Sequence, residues 1–363
     1  MRNFKYNRLL NWFLLLSFTL LIILTFYMVG KQLTHYIKNY NPITSIYINS
    51  SGEIFISIRY HLKSYLFKSK DRGESWENIT PDFFLKDNDQ VNDILFIFGK
   101  KEMPGFVGLV SKDSFFISHD FGITWERNKY PDDIRVYLAR QNPFSENEIM
   151  LASFTGIFFT SNYGKDLSNI TNVFNKETES SSFIIKDLKF SKTPGILYFA
   201  SYDSLFNSQN GGLTWKKIST SRKYYYQIEI DPENPGHIYA GISNGGILES
   251  FNGGYSWEYL DKRLPIKAKE NLRCFFLRVS PFDKNLIFGS IEADDKIKTN
   301  LFSKDAGKSW KKMNLKDNLD SGSIMLFTED LIYLGNSTGN LFISKDSGEN
   351  WEKLKFNIEG LVK

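Results

Sequence analysis

From Ile43 onward the chain is a succession of short apolar runs of four to six residues, each closed by a polar turn cluster. Ile228-Glu229-Ile230-Asp231-Pro232 is followed by His237-Ile238-Tyr239-Ala240-Gly241 and then by Gly245-Gly246-Ile247-Leu248-Glu249-Ser250. The same order returns as Val279-Ser280-Pro281, Leu286-Ile287-Phe288-Gly289 and Asn300-Leu301-Phe302-Ser303, and again around Ile149–Thr160 and Leu331–Ser344. Runs of this length, rich in β-branched and aromatic residues and bounded by Gly, Pro, Asn and Asp, predict β-strands joined by tight turns. Each set of three runs ends in one recurrent turn, after which a fourth run opens.

That turn reads Ser-x-Asp/Asn-x-Gly-x-Ser/Thr-Trp. It begins at Ser69, Ser118, Ser208, Ser250, Ser303 and Ser344, with Asn350 in the last copy where the others have Ser or Thr. A decayed copy, Thr160-Ser161-Asn162-Tyr163-Gly164-Lys165-Asp166-Leu167, fills the one gap and has no Trp. The acidic or amide position falls at Asp71, Asp120, Asn162, Asn210, Asn252, Asp305 and Asp346, in steps of 49, 42, 48, 42, 53 and 41 residues. Trp76, Trp125, Trp215, Trp257, Trp310 and Trp351 are six of the seven tryptophans in the chain. The Gly supplies a left-handed backbone position. The Asp or Asn accepts turn amides, and the Trp brings a large apolar surface to the join between repeats. Asn replaces Asp in three copies without loss of the pattern, which argues against calcium ligation or acid catalysis at these positions.

Four strands in roughly 46 residues is the size of a propeller blade. Seven such units fill residues 43–363, so the expected fold is all-β, a seven-bladed β-propeller of four-stranded blades. Because its box lacks Trp, the third blade is expected to share a weaker seam with the blade that follows.

The first 42 residues follow another rule. Leu9 to Gly30 contains no charge, and as a helix it would rise about 33 Å, against a hydrocarbon core of roughly 30 Å. A cleavable signal peptide is the alternative, but the apolar run is long for one and has no Ala-x-Ala-like site. The expectation is therefore a single transmembrane signal-anchor helix over 9–30. Arg2, Lys5 and Arg8 crowd its N-terminal flank, which places 1–8 in the cytoplasm, 31–42 as a tether, and the propeller outside the cytoplasm.

Charge confirms this division. Net charge is +4, but residues 1–40 hold five basic residues and no acid, leaving 40 basic against 41 acidic residues beyond them. The globular part thus has a formal charge of −1 and no bias toward phosphate, so no nucleic-acid partner is expected. One cysteine, Cys274, excludes a disulfide framework. The four histidines are scattered, and no P-loop or nucleophile elbow is present, so no cofactor, metal or catalytic residue is assigned.

The boxes resemble the Asp-box, or bacterial neuraminidase repeat, propellers over about 43–355. The motif marks the fold rather than one activity, since sialidases, sortilin-type receptors, xyloglucanases and photosystem II assembly factors share it. Sialidases have six blades and an N-terminal Phe-Arg-Ile-Pro-like motif; Arg263-Leu264-Pro265 comes after the fifth box and is not that motif. Sortilin-type domains have ten blades and a cysteine-rich segment, and xyloglucanases pair two seven-bladed propellers. A single seven-bladed unit is most similar to the photosystem II stability/assembly-factor-like group, which implies a non-enzymatic protein-binding or assembly scaffold, although no photosynthetic role follows from these residues. A glycan-active hydrolase or a glycan-binding receptor module is the alternative.

Boxes joining third and fourth strands leave the inter-blade loops on the opposite face, where ligands of such propellers dock. The segments expected there are Arg59–Lys63, Tyr202–Asp203, Arg222–Tyr226, Arg263–Asn271 and Glu292–Lys298. Candidate binding residues are Arg59, Tyr202, Arg222, Tyr224, Tyr225, Tyr226, Arg263 and Arg273, since Tyr and Arg dominate binding hot spots. The alternative is that Tyr224 and Tyr226 open a strand and one of them packs in the core. A catalytic carboxylate pair would have to come from Asp203, Asp294 and Asp295. An arginine cluster beside a Tyr/Glu pair at the channel mouth would favour the hydrolase, and an uncharged or lysine-lined mouth the scaffold.

Overall fold

The apolar runs pair as their period predicts. In the computed structural model, consecutive strands form seven antiparallel four-stranded sheets, each in simple sequence order. Residues 41–61, 63–86, 93–170, 184–219, 223–266, 271–294 and 296–362 are described, and residues 42–363 form one compact unit. The expected anchor over 9–30 lies outside the described residues, as does 1–8 and nearly all of the tether. Among the described residues no helix is long and apolar enough to cross a membrane.

The first strands of the seven blades are β1 (Ile43–Ile48), β5 (Ile94–Lys100), β9 (Val136–Asn142), β13 (Ile185–Phe190), β17 (Tyr225–Ile230), β21 (Arg273–Val279) and β25 (Ile324–Phe327). Six of the seven neighbouring pairs touch closely, all but β21 and β25, as the strands line the central axis. Second and third strands, such as Ile54–Tyr60 and Leu205–Ser208, are almost wholly buried because both faces of a blade pack on neighbours. The outermost strands are mostly two exposed residues long, for example Glu77–Asn78 and Lys216–Lys217. Short charged edges of this kind resist pairing with other chains.

Seven apolar clusters hold the ring, one at each seam between adjacent blades. The last blade meets the first by side-chain packing, without strand exchange. Phe356 sets its ring 5.2 Å from Phe67 and 5.4 Å from Trp76, and the Ile43 amide donates to the Asn336 carbonyl at 3.2 Å.

Each box is a self-contained hydrogen-bonded turn. In the first, Ser69 Oγ accepts the Gly73 amide at 2.8 Å and donates to Asp71 Oδ1 at 2.8 Å, while Asp71 Oδ1 accepts the Ser75 amide at 2.8 Å. Where Asn stands instead, Asn210 Oδ1 still accepts the Thr214 amide at 2.8 Å, and its Nδ2 donates to the Thr214 hydroxyl at 2.8 Å. The hydroxyl reverses its role, which is why Asp and Asn interchange. The Ser75 and Thr124 hydroxyls, with their backbone amides, hold Asp71 and Asp120 down at about 2. The turn uses two successive left-handed residues rather than the one expected: Arg72 and Gly73 have φ of 61° and 98°. A Cβ at Gly73 would come within 2.7 Å of Leu354 from the preceding blade.

This contact corrects the expectation for the third blade. Box tryptophans pack in the seam with the preceding blade, as Trp76 does with Phe356 and Trp215 with the cluster containing Met150. In most blades the residue three places beyond the Trp position (Ile79, Ile170, Ile218, Leu260, Met313 or Leu354) enters the seam with the following blade. Blade 2 has a longer fourth strand, Glu126–Lys129, and ends instead on Tyr130. Tyr130 is 2% exposed and lies 5.5 Å from the Phe115 ring, beside Gly164 and in one cluster with Leu167. An aromatic ring from the neighbouring blade thus occupies the seam where the third box lacks its own.

Candidate functional site

A four-stranded meander puts the boxes and the first hairpins at one end of every blade, and the inter-blade loops with the second hairpins at the other. The second end carries a repeated irregularity. Six of the seven first strands gain one unpaired residue where they begin: Thr44, Leu95, Tyr137, Lys186, Tyr226 and Phe275. Each is a β-bulge, which breaks the two-residue alternation and re-aims a side chain. All six are partly or fully exposed, at the mouth of the channel.

The residue after the bulge stitches one blade to the next in several places. Ser45 Oγ accepts the Ile97 amide at 2.9 Å, Asp187 Oδ2 the Ile228 amide at 3.3 Å, and Gln227 Oε1 the Leu277 amide. The mouth is thereby held by bonds that run from blade to blade.

Around blades 3 to 6 the mouth is aromatic. Phe154 lies 4.9 Å from Tyr137, Tyr202 4.5 Å from Tyr224 in an edge-to-face contact, and Tyr226 4.8 Å from Phe275. Two lysines sit over rings: Lys186 Nζ is 5.3 Å from the Tyr202 centroid and Lys298 Nζ 5.7 Å from that of Phe275. Arg273 pairs with Glu292 at 3.1 Å. Burial raises the Tyr226 hydroxyl above its ordinary value, with Arg273 pulling the other way. Phe154 is 69% exposed, and Tyr202 and Tyr224 are 50% exposed each. Rigid aromatic side chains with polar tips supply contact area at low entropic cost, as binding surfaces require.

The structure brings Tyr202, Tyr224, Tyr226 and Arg273 together. It places Tyr225 in the core at 3% exposure, so the buried member of the tyrosine run is the middle one. Arg263 turns into blade 5 and donates to Glu249 at 2.8 Å. Arg59 lies on blade 1, 3.4 Å from Asp93, and Arg222 is outside the described residues. Sequence reasoning missed Tyr137, Phe154, Lys186 and Phe275, and held Lys298 only as the end of the expected segment Glu292–Lys298. Aligning the first residues of each repeat would have grouped Tyr137, Lys186, Tyr226 and Phe275, which share one repeat position.

Asp203 and Asp294 lie on different blades. Asp203 accepts the Ser204 hydroxyl at 3.1 Å on blade 4, and Asp294 accepts Asn271 Nδ2 at 3.1 Å on blade 6; blade 5 stands between them, and Asp295 is outside the described residues. Among the described residues no group of three His, Cys, Asp or Glu side chains is placed to hold a metal. Cys274 is buried, and burial pushes its thiol up to about 12. On the box face, His237 bridges Asp231 and Glu249 at 3.0 Å each.

No curated protein matches the sequence significantly. Among solved structures, the GH74 xyloglucanase from Xanthomonas campestris superposes with a TM-score of 0.64 at 13% identity, over 86% of this chain and 53% of that one. The chain thus spans about half the length of that enzyme. YCF48 bound to D1 peptide matches with a TM-score of 0.61 at 13% identity, over 84% of this chain and 93% of that one. YCF48 from Cyanidioschyzon merolae gives 0.60 at 13% identity, over 84% and 95%. At this identity the likeness shows the fold alone. The BNR/Asp-box repeat family matches residues 116–127, and the DUF6242 beta propeller domain matches residues 157–358, more than half of the chain. The protein is an Asp-box β-propeller that belongs to the DUF6242 β-propeller family.

Proposed function

We propose that the propeller is a non-enzymatic scaffold that binds a protein partner at its aromatic channel mouth, held outside the cytoplasm by the apolar segment 9–30. The observation that carries this reading is the mouth itself, where residues from four blades present clustered, partly exposed rings with lysines over them. It is lysine-lined and aromatic, with one arginine neutralised by Glu292. YCF48, a propeller of similar length, has been captured with a peptide, which lends support to a peptide or protein ligand here. A glycan is the second reading, because exposed rings such as Tyr224 also suit the faces of sugars and a xyloglucanase shares the fold.

The test is affinity capture with the full-length protein from mild-detergent membranes. Tyr224→Ala with Tyr226→Ala should weaken partner capture at least tenfold, since aromatic hot-spot residues contribute about 2 kcal/mol or more each. Unchanged capture by a folded double variant removes the mouth as the site. Turnover of sialosides or β-glucans that disappears on replacing Asp203 or Asp294 would establish the hydrolase instead.

A further inference from the structure

On the box face, between the ends of β13, β17, β21 and β25, a cavity of about 320 Å³ is lined by residues of blades 4 to 7. Its lining is mixed. Phe190, Ile230, Leu326 and Phe327 supply apolar surface, while Lys189, Glu229 and Arg278 supply charge. The charged residues belong to a chain of ion pairs that crosses four blades. Arg140 meets Asp187 at 3.0 Å, Lys189 meets Glu229 at 2.6 Å, and Arg278 meets Glu229 at 3.3 Å.

The chain is unbalanced, because three cations share two carboxylates. Lys189 and Arg278 converge on a single oxygen, Glu229 Oε1. An ammonium has three N–H donors and a guanidinium five. Beyond Glu229, Arg278 donates to the Leu277 carbonyl at 2.7 Å, and Lys189 lies 3.8 Å from Asp187. Asp187 also accepts the Leu188 and Ile228 amides. Asp231, the second lining carboxylate, is occupied by His237 and by the amides of Glu233 and Asn234. Lys192 adds one more cation to the lining. Lys192 is exposed, but Lys189 and Arg278 are only 20% and 15% exposed, and positive charge with unused donors so far withdrawn from water is matched by an anion.

We propose that this cavity binds a small amphipathic carboxylate, its carboxyl group accepting from Lys189 and Arg278 and its apolar body lying against Phe190, Leu326 and Phe327. A fully polar anion would leave the apolar surface unmatched, and a neutral hydrocarbon would leave the charge unmatched. The volume is at the lower end for small-molecule sites, which run from about 300 Å³ upward, so the body is of the order of one aromatic ring with a short chain. The site is on the opposite face from the aromatic mouth and does not depend on the scaffold reading.

The test uses fluorine NMR of 4-fluorophenylacetate with the full chain in detergent, each variant measured in the same micelles. Wild type should show saturable binding, and the neutral 4-fluorophenylacetamide should show none. Glu229→Gln releases both cations from their shared carboxylate and should tighten binding about tenfold, a gain that a misfolded protein cannot produce. Leu326→Trp fills the cavity without touching a charge and should abolish binding in a protein that still unfolds cooperatively, although Leu326 also packs on the seam between blades 7 and 1. Absence of saturable binding to wild type would overturn the proposal and leave the ion pairs as a purely structural staple between blades. Equal binding of the amide, or unaltered binding in folded Leu326→Trp, would overturn it as well.

Discussion

The seam between blades 2 and 3 makes a prediction that can be worked from the structure. Tyr130 fills it, yet its hydroxyl is buried with no hydrogen-bond partner among the described residues. Leaving a buried polar group unpaired costs about 1–3 kcal/mol, so Tyr130→Phe should raise stability by about 1 kcal/mol. Tyr130→Leu, which restores the residue type used at the equivalent place in other blades, should cost about 2 kcal/mol because half the side chain is lost into a cavity. Leu167→Trp alone should cost about 1–3 kcal/mol by overpacking against the ring already there. Together the last two should rescue each other with a coupling of at least about 1 kcal/mol. Urea unfolding of all four variants, followed by tryptophan fluorescence, measures these differences. If Tyr130→Phe is destabilising, the hydroxyl has a partner. If the double variant is merely additive, Tyr130 does not occupy the space of the missing Trp.

Trp310→Ala should cost about 3–5 kcal/mol in the same assay as a large-to-small change in a seam, whereas Asp71→Asn should stay within about 1 kcal/mol, because the Ser75 hydroxyl can reverse its role; the opposite order would make the boxes functional rather than structural. Burial opposes protonation of His237, but the hydrogen bonds it donates to the carboxylates of Glu249 and Asp231 outweigh this and raise its pKa above the ordinary 6.5; burial likewise opposes ionisation of Glu249, yet His237 and Arg263 lower its pKa below 4.5. The His237 contribution is therefore complete below 6.5 and lost as pH rises through its raised pKa, and that of Glu249 is complete above 4.5 and lost as pH falls through its lowered one. Melting temperature against pH should peak between these values, and His237→Gln should flatten the alkaline limb; an unaltered limb would assign the loss to other groups. Protease added to spheroplasts should degrade residues 41–363 and spare the N-terminus, and full protection of the propeller would reverse the proposed topology.

The sequence by itself determined the blade and its count. A box turn is closed within eight residues, by Ser69, Asp71, Gly73 and Ser75 bonding to one another, so its signature survives in a linear reading. The tryptophan spacing and the period of the apolar runs likewise report local geometry. What only the tertiary structure decided is everything assembled across blades. Tyr137, Lys186, Tyr226 and Phe275 lie some 40 to 50 residues apart in sequence and meet only because each occupies the bulge of an innermost strand. Plain alternation buries Tyr225 between two partly exposed tyrosines, and the bulge at Tyr226 then slips the alternation so that Gln227 and Ile228 are both buried. Arg263 reads as a surface cation until blade 5 folds and brings Glu249 within 2.8 Å. The charge chain from Arg140 to Arg278 exists only where four first strands converge on the axis. Turns are written in neighbouring residues, whereas a channel is written in the same repeat position of different blades, which no window along the chain contains.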